Sequence, residues 1–461
     1  MQQRCDESCK KAHANLIGKK IFVGHREVAG TFSKVAKALR ASGLDVDFVQ
    51  RIPNTSAYET EERLPRVVRL SRNLNPALRR TTRHSPTYWV LAICSRFLWD
   101  IWALWAIFRY DYFLFAFGLS FWPKNIDLAL IRLLGKHAVV HFASGSDSRP
   151  PWMDGSFQHL DCTQKKAARK VLKLSKKIKS KLWISERFAN RIIGSPLSTS
   201  QFARKDFINS LFIGFPVHVN RIELDVEPAP QPPSQVETRP EFVIGLHAPS
   251  HPAFKGTAEI SAVFGMLQSA LPQVVFRTVQ GITNQEVLKE VSAADFIVDQ
   301  LYSDTPLAVF ASEAAAAGKP AIVGGYGWAV MDKAMPEPIF SKLWGTLCLP
   351  EFLGDTVTRF VENEEFRKKS GAAAKSFVSE FLSPEAVAHR YTLVLAGELP
   401  AEWTFSPREV IYIFGAGQAQ NVTLRQVLGI TKHFGKAGLQ ISHNEILSEK
   451  VDEFIGTHVS E

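Results

Sequence analysis

Two stretches decide the fold: EFVIGLHAPSHPAFKGT, Glu241 to Thr257, and FIVDQLYSDTPLAVFASEAAAAGKPAIVGG, Phe296 to Gly325. Between Glu241 and Gly325, four short apolar runs alternate with helix-length segments, the pattern of a parallel sheet with helices packed on it. Each quoted stretch is a strand, a turn and the start of a helix. In the first, Ser250 and His251 occupy the turn, and a lone Lys255 with Gly256 precedes the helix. In the second, Thr305 suits an N-cap and Pro306 the first helical position, with Leu307 behind it, while Gly318 and Pro320 stop the helix. A helix N-terminus offers N–H groups without intrahelical partners and a positive dipole end, so both turns predict places for a phosphate. Inside the second helix Glu313 is the lone charge, and Val309, Phe310, Ala316 and Ala317, three and four residues away, cannot pair with it. Such a carboxylate is solvated, held by another element, or bonded to ligand hydroxyls.

KGT after one strand and FASEAAAAGKPAIVGG after another resemble the donor half of retaining nucleotide-sugar glycosyltransferases of the GT-B fold, in particular glycosyltransferase family four. The resemblance implies an α/β architecture of two Rossmann-like domains, each a doubly wound parallel sheet, facing a cleft. It covers about residues 20 to 395 in architecture, with its specific motifs in 241–325 and 144–155. It implies that Lys255 contacts the donor diphosphate and that Glu313 takes the ribose hydroxyls. It further implies that Gln280 and Gly281, after the strand VVFRTV, lie beside the nucleobase, and that Gly30 and Thr31 in the first turn of the chain approach the donor phosphate. The turn SGSDSRPPWMDG, Ser144 to Gly155, carries the Gly-Ser-Asp that the family often has, but Ser144 holds the place of the family's histidine and His141 lies three residues earlier. Ser144 and Asp147 are the catalytic candidates, and Arg149 could also face the cleft. Thr305 stands where a second Glu is common, and Ser250 and His251 fill the loop that usually has an arginine.

With 461 residues the chain has room for two domains. Five prolines between Pro228 and Pro240 mark a stiff linker. The expected organisation is a basic acceptor domain over 1–224, the linker over 225–240, a donor domain over 241–400 and a small α/β extension over 401–461, in which EVIYIFG and GLQISH read as strands and Gly415 to Gly417 as a turn. Residues 1–224 hold 37 Lys+Arg against 17 Asp+Glu, a balance of +20, and the remainder 18 against 28, so the net +10 divides into a basic and an acidic half. The basic half suits nucleic acid, anionic lipid or an acidic substrate; alternatively the two halves attract each other and steady the cleft. Five scattered cysteines point to a reducing compartment, and the first twenty residues lack the apolar core of a secretory signal.

The first domain opens with the strand KKIFVGH, a turn at Gly30, the helix FSKVAKALRAS and the strand DVDFVQ, and it is expected to close on a strand LFIGFP. Two segments carry unusual chemistry. Seven arginines and no acid lie between Arg63 and Arg83, followed by TYWVLAICSRFLWDIWALWAIFR with Trp89, Trp99, Trp102 and Trp105. That segment is read as a buried crossover helix or an interfacial helix; Arg96 and Asp100 near its middle argue against a membrane span. Nine basic residues and no acid lie between Lys165 and Lys181, with Val171, Leu174 and Ile178 on one helical face. They fit a membrane-surface helix or a solvated helix docked on a core.

The resemblance implies a metal-independent, retaining transfer of a sugar from a nucleotide-diphosphate sugar to a glycan or lipid-linked acceptor, with an expected place in cell-surface polysaccharide or glycoconjugate synthesis. No DxD-type pair sits at a strand end, so no metal is expected, and no cofactor beyond the donor. The expected place is the cytoplasm, peripheral on an anionic inner membrane face. Ser144 and Thr305 favour a second reading, a GT-B protein that binds sugar nucleotide or glycan without turnover. Nucleic acid is not an expected partner, because no recognition motif accompanies the charge.

Overall fold

Phe22 faces one side of a sheet while its neighbours Ile21 and Val23 face the other, and the three belong to two separate cores. That period-two alternation of apolar residues makes KIFVGH a central strand covered on both faces. The computed structural model describes residues 10–27, 29–51, 64–80, 85–142, 145–218, 242–306, 308–335 and 347–459. In the first lobe β1 (Lys20–His25), β2 (Asp45–Gln50), β3 (Tyr112–Phe115), β4 (His137–His141), β5 (Arg191–Gly194) and β6 (Phe207–Asn209) form a parallel sheet in the order β6-β5-β4-β3-β1-β2. In the second lobe β7 (Val243–His247), β8 (Val274–Thr278), β9 (Phe296–Gln300), β10 (Ala321–Gly324) and β11 (Leu347–Cys348) form another, in the order β11-β10-β9-β7-β8. Two doubly wound parallel sheets facing a cleft constitute the GT-B arrangement that the resemblance implied. Strand order reverses between β1 and β3 and between β7 and β9, and crevices for ligands lie outside the carboxyl ends of strands at such points.

Four expectations need correction. LFIGFP is not the closing strand: the strand is Phe207–Asn209, and Asn209 then caps a short helix, Ser210–Ile213, by accepting from the N–H of Leu211 at 2.9 Å. The helix expected to open at Pro306 begins at Val309, with Ala308 before it and no side-chain cap. Thr305 does not cap it: its N–H donates to Ser303 Oγ at 3.2 Å and its carbonyl accepts from the same hydroxyl at 2.8 Å, so the chain turns there first. EVIYIFG is no strand either. Val410, Tyr412 and Ile413 are buried, and the segment's carbonyls go to side chains, Tyr412 O to Gln201 Nε2 at 2.9 Å and Phe414 O to Thr423 Oγ1 at 2.9 Å, rather than to a neighbouring strand. GLQISH likewise forms a 3₁₀ turn and loop.

The tail does not form a unit of its own. The helix Pro384–Ala396 packs on Thr31–Ala41, burying Val387, Tyr391 and Val394 in the core that holds Val35 and Leu39. Thr404–Phe405 adds an antiparallel edge strand to β6. The helix Gln420–Phe434 then covers the lysine helix Lys165–Phe188: Val427 and Ile430 share a core with Val171 and Ile178, and Gln426 Oε1 accepts from the N–H of Cys162 at 2.9 Å. The apolar stripe of the lysine helix is therefore spent on the protein's own tail, which leaves the basic residues from Lys165 to Lys177 as a solvated face, while Lys179 is buried and donates to Gln440 O at 2.6 Å. The proline-rich segment expected as the linker lies outside the described residues.

Candidate functional site

The strand ends of the two sheets meet around a cavity of about 340 Å³. From the first lobe come Thr31 and Phe32 after β1, His141, Gly145, Ser146 and Arg149 at the end of β4, Ser195 and Ser198 after β5, and Ser210 after β6. From the second lobe come Phe254 and Lys255 after β7, and Gln300, Asp304, Thr305, Ala308 and Val309 after β9. Each wall sets polar groups beside apolar ones such as Phe32, Phe254 and Val309, on a rigid scaffold, because the residues sit at the ends of buried strands or in the turns that follow them.

Lys255 reaches the wall because of the glycine after it. Gly256 adopts φ +71°, and a Cβ there would stand 2.8 Å from Leu301 Cβ, so only glycine lets this turn lie on the end of β9, where the N–H of Leu301 donates to Lys255 O at 3.0 Å. The ammonium is aimed by Asp299, fully buried, whose Oδ1 accepts from Lys255 Nζ at 2.7 Å. Across from it, Val309 starts an eight-residue helix whose first turn holds no acidic residue and no capping side chain. The lone lysine and the open helix end face the same space, a favourable place for an anion.

The wall contributed by the first lobe is organised by Arg149, which is 3% exposed. Its Nη1 lies 3.2 Å from Asp154 Oδ2, its Nε donates to Asp304 Oδ2 at 3.0 Å, and its Nη2 makes a further contact to Asp304. Burial by itself works against the guanidinium charge, but Asp304 and Asp154 outweigh it and hold the pKa above its ordinary value. The pair Arg149–Asp304 is thus a buried ion bridge between lobes. His141 lies at right angles to Phe32, ring centroids 5.2 Å apart, and burial lowers its pKa to about 4, so it presents a neutral imidazole to the cavity at neutral pH.

The structure distributes the sequence-predicted residues unevenly. Lys255, Thr305 and Thr31 line the cavity. Gly30 sets the left-handed turn before the helix Thr31–Ala41, but that helix end is no anion site: the Glu27 carboxylate already accepts from the N–H groups of Phe32 at 3.1 Å and Ser33 at 2.8 Å. Pro306 sits in the loop before the second-lobe helix and not in its first turn. Glu313 is buried but off the cavity wall. It accepts from Asn284 Nδ2 at 3.2 Å and lies 3.8 Å from Lys34 Nζ of the other lobe, so it is held by neighbouring elements. Burial raises its pKa, with Lys34 and Asn284 opposing. Asp147 is buried away from the cavity wall, facing Lys181, whose pKa burial lowers to about 8 while the Asp147 charge works the other way. Ser250, His251, Gln280 and Gly281 are exposed and do not line the cavity. Ser144 and Leu307 lie outside the described residues.

Asp304 and the set Gln300, Ser195, Ser198 and Ser210 were not singled out by sequence, nor was the Arg149–Asp304 bridge. Arg149 is the one cation in the turn SGSDSRPP and Asp304 the one charge in SDTP, which marks them individually. Their pairing joins positions 155 residues apart and leaves no local signal.

No protein-family model matches this chain, and no curated protein sequence does. Solved structures match at low identity. HepE from Anabaena in complex with UDP-glucose is 12% identical, over 83% of this chain and 100% of that one, with a TM-score of 0.42. Trehalose-6-phosphate synthase OtsA is 10% identical over 83% and 100%, TM-score 0.46, and the glycosyltransferase SnogD from Streptomyces nogalater 13% identical over 81% and 99%, TM-score 0.38.

Proposed function

We propose that the cleft binds a nucleotide-diphosphate sugar and transfers the sugar to a glycan or lipid-linked acceptor held by the basic lobe. The observation that carries this reading is the convergence of Lys255, braced by Asp299, and the open helix end at Val309 on one interlobe cavity. As the sugar leaves, negative charge grows on the diphosphate, and a lysine and a helix dipole fixed in advance stabilise that charge without reorganising. No metal is needed for that step in this reading. Retention of anomeric configuration is carried only by the resemblance to family four. For Glu313 to take the ribose hydroxyls, donor binding must bring it to a cavity that it does not line, past the contacts with Asn284 and Lys34 that hold it.

One observation favours a binder without turnover. Asp304 is the acid on the cavity wall among the described residues, and Arg149 already engages it.

Thermal unfolding with a panel of nucleoside diphosphates and their sugars tests the first step. Ligand at about 100 times its dissociation constant adds roughly 2.7 kcal/mol, and Lys255→Ala is expected to abolish the shift. If no nucleotide moves the midpoint of the wild type, donor binding is wrong. A shift without measurable transfer or donor hydrolysis selects the binder.

A further inference from the structure

The helix Pro86–Arg109 is docked on the first lobe by one face only. Trp99, Trp102, Ala103, Ala106 and Ile107 are buried against Phe22, Phe113 and Phe115 of the sheet. The opposite face carries Val90, Ile93, Phe97, Ile101, Leu104 and Phe108, spaced three and four residues apart and between 44% and 64% exposed. At 24 residues the helix is about 36 Å long, and its apolar window has a mean hydropathy of 1.6 with a third of it buried. It does not span a bilayer as folded, because crossing would strip Trp99 and Trp102 from the sheet that buries them. A stripe of this size left in water marks an interaction surface.

The charge around the stripe says what covers it. From Arg66 to Arg109 there are eight arginines and one acid, Asp100, and Asp100 is paired with Arg96 at 2.7 Å. The companion helix Arg66–Arg80, tied on by the Ser71–Ser95 hydroxyl contact at 3.1 Å, exposes Arg66, Arg69 and Leu70. The lysine helix lies on the same face of the sheet and turns its basic residues from Lys165 to Lys177 to solvent. A second copy docking through a two-fold axis would set arginine against arginine. An anionic lipid surface offers both partners at once: phosphates for the arginines and an acyl boundary for the stripe.

We propose that this face is a membrane-docking surface on which Pro86–Arg109 lies in the plane of an anionic bilayer interface. The stripe enters the acyl boundary. Trp89 and Trp105, 59% and 50% exposed, sit at headgroup depth towards its two ends. The lysine helix, whose apolar face is covered by the tail, contributes long-range attraction and no insertion. This proposal is independent of the reading of the cleft.

The test is flotation of the full chain with vesicles of phosphatidylcholine containing about one-third phosphatidylserine, against pure phosphatidylcholine, at low and high salt. The wild type is expected to float with the anionic vesicles and to be released by salt. The doubly exposed variant Ile93→Glu/Phe97→Glu, with an unchanged thermal midpoint as proof of folding, is expected to bind about a hundredfold more weakly. Lys173→Glu/Lys176→Glu is expected to bind less weakly than that. A wild type that stays with the pellet, a stripe variant that floats like the wild type, or a wild-type dimer that the stripe variant dissociates would each overturn the proposal, the last by assigning the face to a second copy.

Discussion

Replacing Arg149 by methionine removes the cation from a site that holds two carboxylates out of water. Asp154 is fully buried and Asp304 nearly so, and their nearest positive charge is the one guanidinium. Breaking a buried ion pair by deleting one partner typically costs about 3 to 5 kcal/mol, because the remaining charge is left uncompensated. Asp304→Asn is a milder change. It keeps an oxygen for Arg149 Nε and leaves the Asp154 contact in place, so about 1 to 2 kcal/mol is expected. The double variant Arg149→Met/Asp304→Asn strands only Asp154, which still accepts from the N–H of Ser156 at 2.9 Å, and its cost should fall short of the sum by about 2 kcal/mol. With an unfolding entropy of roughly 2.1 cal/mol/K per residue, 4 kcal/mol lowers the midpoint by about 4 °C if the whole chain unfolds together and about 8 °C if half of it does. Calorimetry of the four proteins at neutral pH measures this directly. An Arg149→Met midpoint within about 1 °C of wild type, or a double variant that equals the sum, would refute the claim that Arg149 and Asp304 form a coupled bridge between the lobes.

Acid should unfold the protein through its buried histidines. His25 and His141 both have pKa values lowered to about 4 by burial, so between their ordinary value of 6.5 and about 4 the unfolded chain binds the extra protons. The stability each contributes is complete above pH 6.5 and lost as pH falls to about 4, roughly 3 kcal/mol apiece. His141→Gln is expected to flatten the fall in stability over that window, and an unchanged slope would show that His141 does not titrate there. Glu313 acts with the opposite sign: its raised pKa makes stability fall as pH rises through the region above the ordinary 4.5, so Glu313→Gln should leave the thermal midpoint at neutral pH unchanged or higher. Gly417→Ala is predicted to disturb the seam and the cavity together. The residue has φ +71°, and a Cβ there would stand 2.2 Å from the ring of Phe254, which lines the cavity. A lowered midpoint with weakened nucleotide binding is expected, and wild-type values for both would show that Phe254 has room to move.

The strands of the second lobe and the stop at Gly318 were legible because each depends on residues close in sequence, and the capping box at Thr283 is of the same local kind. Thr283 Oγ1 accepts from the N–H of Glu286 and the Glu286 carboxylate from that of Thr283, as Thr-x-x-Glu predicts. Lys255 was legible for the same reason, since a lysine and a glycine after a buried strand point it at the strand end. The start of the helix near Pro306 was misplaced by three residues because Ser303, two positions before Thr305, claims the turn. Glu313 illustrates the limit: its helix has no cation for it, and the one it meets, Lys34, comes from the other lobe.

By itself, then, the sequence determined the second lobe's parallel sheet, the opening strand, helix and strand of the first, the placing of Lys255 at a strand end and the division of charge between the halves, because apolar periodicity, turn chemistry and composition are local. Tertiary structure alone decided that the tail returns to cover the lysine helix, that Arg149 meets Asp304 across the cleft, that Glu27 occupies the first helix end, and which face of the tryptophan helix stays in water. Each of those outcomes depends on which surfaces are left to bury once the strands have paired, and burial and charge pairing between distant segments leave no pattern along the chain.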